Sequence, residues 1–369
     1  MPEPVSALMP DTTSLLLNLT VQVTLLSALA IVAALALKHH AARRYTLLYC
    51  TMLALLVLGG LSTAFQLSSR ALVVLPVPAL LIEEVGAAPP VAVEWQTAGM
   101  DVLTETSTAL SFSPRSATAE LNSNRLPVKL ESILIPLWLA GFLLMTGGLW
   151  RSLGKVKRLV NNSVPLTGSQ RQQIQDNLTA VRSRHPDVEI RLSSAVSSPM
   201  IAGFPRPVLL LPHSILHYLN GDELTAVLAH ELAHLERNDV TQNLLQKFIL
   251  ALFWFHPLVH LLDRMVCRAR EEVCDNHVLA SLPAWLYGEA LLKVSQLART
   301  GQQNLLEEGK SPFIHTDDHL ALAMLSRGWR LEQRIGELLS ERREKTMNLT
   351  RLGNYSVMAT VGCLAILLA

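Results

Sequence analysis

Residues 14–37 are apolar almost without interruption, 24 in a row, and a run of that length has few fates. About 20 such residues cross a bilayer as a helix, and a soluble domain of ordinary size has no interior long enough to bury them. No basic residue precedes the run, so it lacks the positive segment that opens a cleaved signal peptide. Residues 45–61 form a second run and 133–150 a third. A fourth starts at Tyr355 and is still apolar at Ala369. Its 15 residues fall short of a crossing, which predicts a chain cut there or ending within the membrane.

Lysine and arginine orient these runs, because short cytoplasmic segments carry the excess. Lys38, Arg43 and Arg44 fill the link between the first two. Arg151, Lys155, Lys157 and Arg158 follow the third, and Arg342, Arg343, Lys345 and Arg351 precede the fourth. The N-terminal tail has none, and residues 66–132 have four, fewer than their acids. The expected order is two transmembrane helices (1–63), an external loop (64–132), a third transmembrane helix (133–150), a cytoplasmic domain (151–352) and the start of a fourth transmembrane helix (353–369). Stretch 71–82 of the loop is apolar enough to lie on the membrane, but Pro76 and Pro78 break a regular helix.

Composition agrees with such a mixture. Half of the 369 residues are hydrophobic and 17% are charged, too apolar for a soluble protein and too charged for spans alone. A net charge of +1 argues against nucleic acid as a direct partner. Cys50, Cys267, Cys274 and Cys363 form no CxxC pair and read as reduced thiols. The cytoplasmic block reads as α+β, mostly helical. Residues 170–184 have helical spacing, 188–192 alternate as a strand, and PVLLL at 207–211 is a short apolar strand. Asn220 and Glu223 have the spacing of a capping box that opens the next helix.

That helix carries HELAH, His230 to His234. Residues four apart share a helix face, so His230 and His234 can offer imidazole nitrogens to one zinc ion. Zinc acidifies water and polarises a carbonyl, and Glu231 beside it is placed to act as general base. The plain alternative is an amphipathic helix with surface histidines. A third ligand counts against it, supplied by the stretch REEVCD at 270–275. Glu271 is the first candidate, Glu272 its rival and Cys274 a weaker one. Asp275, one turn beyond Glu271, is placed to orient a ligand histidine.

Between these elements lies FILALFWFHPLVHLL, 248–262. Were it a span, Glu271 would face the wrong side of the membrane from His230. His256, His260, Pro257 and its short length predict a buried or membrane-apposed helix instead. His256 reads as a buried supporting histidine rather than a ligand. Two other patterns carry less. Ser152 and Lys155 match an SxxK motif but sit in the basic collar after the third run, and His315, Asp317, Asp318 and His319 follow a polar loop. That loop, 300–319, lies after a helix expected at 287–298 and has the composition at which proteolysis concentrates.

These residues resemble the BlaR/MecR-type membrane metallopeptidases. The resemblance rests on Ser198-Pro199 with Gly203, Pro207 and Leu211-Pro212, on HELAH with Arg237 and Asp239, on Trp254-Phe255-His256-Pro257, and on 270–275 continuing as NHVL. It implies a gluzincin-like zinc protease domain with His230, His234 and Glu271 as ligands of one Zn2+ and Glu231 as catalytic base. Asp239 and His256 would stand with Asp275 behind the ligands. The strand holding Val208, Leu209 and Leu210 looks like an edge on which a substrate peptide would lie extended. Family members cut themselves and, directly or indirectly, a transcriptional repressor, so the implied partners are the bilayer, a peptide substrate and a second copy of the chain as a candidate. The implied location is the bacterial inner membrane. A tryptophan is common in the family where His260 stands, and the antibiotic-sensing members carry a penicillin-binding-like domain after the fourth span. That ligand therefore does not carry over. Two other readings compete: a quality-control or processing protease of the HtpX or CAAX kind, and a non-catalytic adaptor with structural zinc. WFHP and the external loop weigh against the first, and an intact Glu231 weighs against the second.

Overall fold

The computed structural model describes residues 12–67, 131–181, 188–307 and 331–340, with positions 359, 361–364 and 366. The expected external loop beyond residue 67, the cluster from His315 to His319 and most of the fourth run lie outside the described residues.

Helices α1 (Thr12–Ala36) and α2 (Ala41–Leu67) pack side by side, and α3 (Glu131–Asn161) follows. All three are long and apolar enough to cross a membrane. The third run was expected to end at 150, yet α3 continues unbroken through the basic collar to Asn161. Its last turns have a reason to stay helical: Val156 and Leu159, three apart, are buried against the sheet.

That sheet has four strands in the order β1 (Val164–Pro165), β2 (Ile190–Ser193), β4 (Val208–Pro212), β3 (Met200–Ala202). β2 and β4 run parallel, and β3 and β4 form an antiparallel pair. Every residue of β4 is buried, as an interior strand's uninterrupted apolar run demands. The β3–β4 turn depends on Gly203, whose φ is +98° and whose Cβ, if present, would lie 2.8 Å from the Arg206 carbonyl oxygen.

After α4 (Gly168–Val181) and the short α5 (Ile215–Tyr218), α6 (Gly221–Glu236) occupies the centre of the domain, touched by α4, β3, α7, α8 and α9. Its capping box is formed as the sequence predicts. Asn220 Oδ1 accepts from the Glu223 amide at 2.9 Å, and Glu223 Oε2 accepts from the Asn220 amide at 3.0 Å. Lys293 of α9 (Ala284–Glu307) also bonds the fully buried Glu223.

The expected single helix over 248–262 is two. α7 (Asp239–Leu252) ends at a turn, and α8 (Pro257–Leu279) starts with Pro257 in its first turn, where a missing N–H costs nothing. The corner reaches deep between the first three helices. His256 Nε2 lies 3.0 Å from Thr24 Oγ1, and Thr24 is about 18 Å along α1 at 1.5 Å per residue. Backbone polar groups at such depth need partners within the protein. Trp138 Nε1 donates to the Leu252 carbonyl at 3.1 Å, Trp254 Nε1 to the Trp138 carbonyl at 3.2 Å, and the His260 ring bonds the Trp254 carbonyl at 2.8 Å. The corner's polar groups are thus met in part by α3, through Trp138, and in part by its own His260. The first half of α8 shares one apolar core with α1 and α2, through Val259, Leu262, Val266 and Leu48, Met52, Leu55.

A second correction concerns 300–319. α9 runs to Glu307, so the first eight residues of the expected loop are helical; residues 308–319 lie outside the described residues. Gln, Leu and Glu around Gly301 are good helix formers and outweigh one glycine. α10 (Leu331–Leu338) then lies against α9.

Candidate metal centre

α6 presents His230 and His234 on one face, and α8 brings Glu271 opposite them. His230 Nε2 is 3.5 Å from Glu271 Oε2, and His234 Nε2 is 3.7 Å from Glu271 Oε1. For ligand bonds of 2.0–2.1 Å, a tetrahedral zinc holds its donors roughly 3.3 Å apart, so both His–Glu271 spacings are close to it, and all three donors lie within 4.8 Å of one another. Two imidazoles and a carboxylate are a zinc-type donor set. The donor chemistry and spacing fit the metal.

The second nitrogen of each imidazole is engaged behind the ligands. His234 Nδ1 donates to Asp239 Oδ2 at 2.8 Å. His230 Nδ1 lies 2.9 Å from the Tyr287 hydroxyl, which donates its own proton to Asp275 Oδ1 at 2.7 Å. Tyr287 therefore accepts from His230, and both Nε2 atoms are left without a proton on the Glu271 side of the rings. This tautomer assignment follows from the hydrogen-bond network. Arg334 on α10 closes the arrangement: its Nη2 and Nε reach the two Asp275 oxygens at 2.6 and 3.2 Å, and Nη2 lies 3.1 Å from the Tyr287 oxygen and 3.3 Å from His230 Nε2.

Burial pushes the Glu271 carboxyl up, but the His230 hydrogen bond and the neighbouring His234 and Arg334 side chains outweigh it and bring it down to about 2. Asp275 meets the same burial and is held well below the usual carboxylate range by Arg334 and His230. Burial and the Asp275 charge push the Tyr287 phenol up, so it keeps the proton it donates.

A cavity of about 270 Å³ opens onto this set, lined by Glu231 as well as the ligand side chains, with Ser198, Pro199, Met200 and Ile201 along one wall. Among the described residues β3 is an edge strand. Val208, Leu209 and Leu210, expected as a substrate edge, are buried in β4, which is hydrogen-bonded on both sides by β2 and β3. No backbone edge is left there for a peptide, whereas β3 is paired on its β4 side alone among the described residues.

The remaining expected residues fall as follows. Asp239 and Asp275 stand behind the two histidines. His256 does not: its ring goes to Thr24 of α1. Glu272 points away from the histidines, to Arg44 of α2 and to Arg268 at 3.1 Å. Cys274 lies on the far side of His234, 3.3 Å from Nδ1. With His234 and Asp239 it makes a second cluster of possible ligands, but Nδ1 already serves Asp239, and burial pushes the thiol up, toward its neutral form. Tyr287 and Arg334 were not anticipated. Neither belongs to a motif, and they lie 57 and 104 residues from His230. The start of α2 also touches this layer. Tyr45 bonds Gln242, and Arg237, 3.4 Å from Asp239, stacks over the Tyr45 ring at 4.4 Å.

Fold and site together define a class: a mostly helical membrane protein with a metallopeptidase-type domain. Within that class the family profile described as BlaR1 peptidase M56 matches residues 13–313, and the chain belongs to this family, which is typically zinc-dependent. It is 30% identical over 198 residues to the Regulatory protein BlaR1 of Bacillus licheniformis, covering 50% of this chain and 31% of that protein. To the Methicillin resistance mecR1 protein of Staphylococcus aureus it is 32% identical over 113 residues, 30% of this chain and 19% of that one. The matched part is thus less than a third of either relative's length.

Proposed function

We propose that this chain is a zinc endopeptidase of the bacterial inner membrane, with its N-terminus outside and its protease domain in the cytoplasm. It transduces an external signal by cutting itself, a transcriptional repressor, or both. The observation that carries this reading is the convergence of His230, His234, Glu271 and Glu231 on one cavity that has an edge strand as a wall.

A zinc ion held by His230, His234 and Glu271 would supply Lewis acidity toward a peptide carbonyl and water. The protein's own groups do the rest. β3 would bind the substrate backbone as an added strand and set its register over the cavity. The Glu231 carboxylate takes the proton from the attacking water and returns it to the leaving amide nitrogen. Tyr287 and Asp239 hold the imidazoles in the ligand tautomer, and Asp275 with Arg334 holds Tyr287. The signalling part is supported by the contacts of α2 with the layer behind the ligands, through Arg44–Glu272 and Tyr45–Arg237, and by the word "Regulatory" in the name of one relative.

The test uses the full chain with tags at both ends. Wild type should bind one zinc and yield fragments, Glu231→Gln should keep the zinc and yield none, and His234→Ala should lose the zinc. Equal zinc in wild type and His234→Ala, or identical fragments from wild type and Glu231→Gln, overturns the reading.

A further inference from the structure

Along its first half α3 grips the α7–α8 corner, where Gly141 is pressed against Trp254 and Trp138 bonds Leu252. Near its end Val156 and Leu159 seat it on the sheet. Between these two attachments α3 stands off from α7 and leaves a groove of about 760 Å³, within the size range of small-ligand sites.

The groove has an amphipathic lining. Val240 and Leu244 of α7 form an apolar floor, and Lys157 and Arg206 stand on opposite walls. No acidic residue lines it, and neither cation forms an ion pair among the described residues. Trp150 and Phe204 flank it and are 79% and 54% exposed. Its depth is set by α3: the apolar run ends at Trp150, and Arg151, Lys155, Lys157 and Arg158 follow. That change from apolar to basic, with an exposed tryptophan at the junction, marks the level of lipid headgroups. At Gly154, on the wall itself, an added Cβ would meet nothing within 4 Å.

We propose that this groove holds one anionic phospholipid of the surrounding membrane, its phosphate between Lys157 and Arg206 and an acyl chain along Val240 and Leu244. Basic pockets beside membrane helices take acidic headgroups in this way. A half-buried apolar floor at headgroup depth fits a lipid tail better than water. Val240 also lines the metal cavity, so the occupant shares a wall with the catalytic site. The inference needs α3 to be a membrane span and does not depend on the peptidase reading.

The experiment is native mass spectrometry of the full chain released from nanodiscs made of equal parts phosphatidylglycerol and phosphatidylcholine. Wild type should retain one phosphatidylglycerol in preference to phosphatidylcholine. Each Lys or Arg near a membrane surface strengthens anionic lipid binding about fivefold, so Lys157→Gln/Arg206→Gln should lower that preference about 25-fold. Gly154→Leu, which fills the groove and leaves the charges, should abolish retention of the lipid. Equal retention of both lipids by wild type overturns the proposal. So does phosphatidylglycerol held by Gly154→Leu as by wild type, since surface charge alone then suffices. The double variant alters only exposed side chains and reports even where Gly154→Leu fails to fold.

Discussion

Replacing Tyr287 with phenylalanine keeps the ring and removes one oxygen that three groups use. His230 Nδ1 loses its acceptor at 2.9 Å and is left with Asp275 Oδ1 at 3.4 Å. Asp275 loses the phenolic donor but keeps Arg334 at 2.6 and 3.2 Å. The carboxylate thus stays paired, and the damage falls on His230. Its ring is free to rotate or to carry its proton on Nε2, the nitrogen a zinc needs. Outer partners of ligand histidines are worth 10–100-fold in metal affinity. With Asp275 as a weak substitute, Tyr287→Phe should weaken zinc binding about tenfold, at the low end of that range. Asp275→Asn should do more, near a hundredfold, and should lower stability, because Arg334 loses its nearest counter-charge and keeps only Glu271 at 3.8 Å. The assay is competition between the detergent-purified chain and a chromophoric zinc chelator. Equal zinc affinity in wild type and Tyr287→Phe would refute the claim that the phenol holds the His230 tautomer.

Three further predictions follow from packing, charge and topology. Lys247 and Asp263 pair at 2.7 Å with 4% and 14% side-chain exposure, so Lys247→Met should destabilise by about 3–5 kcal/mol in a denaturant melt, and Lys247→Met/Asp263→Leu should recover most of it; equal stability of all three chains would show the pair to be idle. At Gly141 a Cβ would lie 2.2 Å from the Trp254 ring, so Gly141→Ala should displace the indole and cost about 1–3 kcal/mol, read as a shift in tryptophan emission, and an unchanged spectrum contradicts that contact. A cysteine placed within 66–132 should react with an impermeant thiol reagent on intact cells while one at Ser169 stays protected, and the opposite labelling would invert the proposed orientation.

What the sequence determined by itself is what neighbouring residues decide among themselves. The long apolar runs, the capping box at Asn220 and Glu223, and two histidines on one face of α6 all follow from helix periodicity over a few residues. So does the placing of Glu271 and Asp275 one turn apart on α8. Tertiary structure decided how those pieces meet. PVLLL reads the same whether a strand is an edge or an interior one, and only its pairing with both β2 and β3 removed Val208, Leu209 and Leu210 from the substrate's reach. A proline and a histidine in an apolar stretch announce a break, but only the α1 contact sent His256 to Thr24 and away from His230, His234 and Glu271. Tyr287 and Arg334 look like any tyrosine and arginine on amphipathic helices until folding sets them beside Asp275. A hydrogen bond between residues so far apart leaves no period and no spacing in the chain. Its partners are specified only by the packing of α6, α8, α9 and α10 around a shared core.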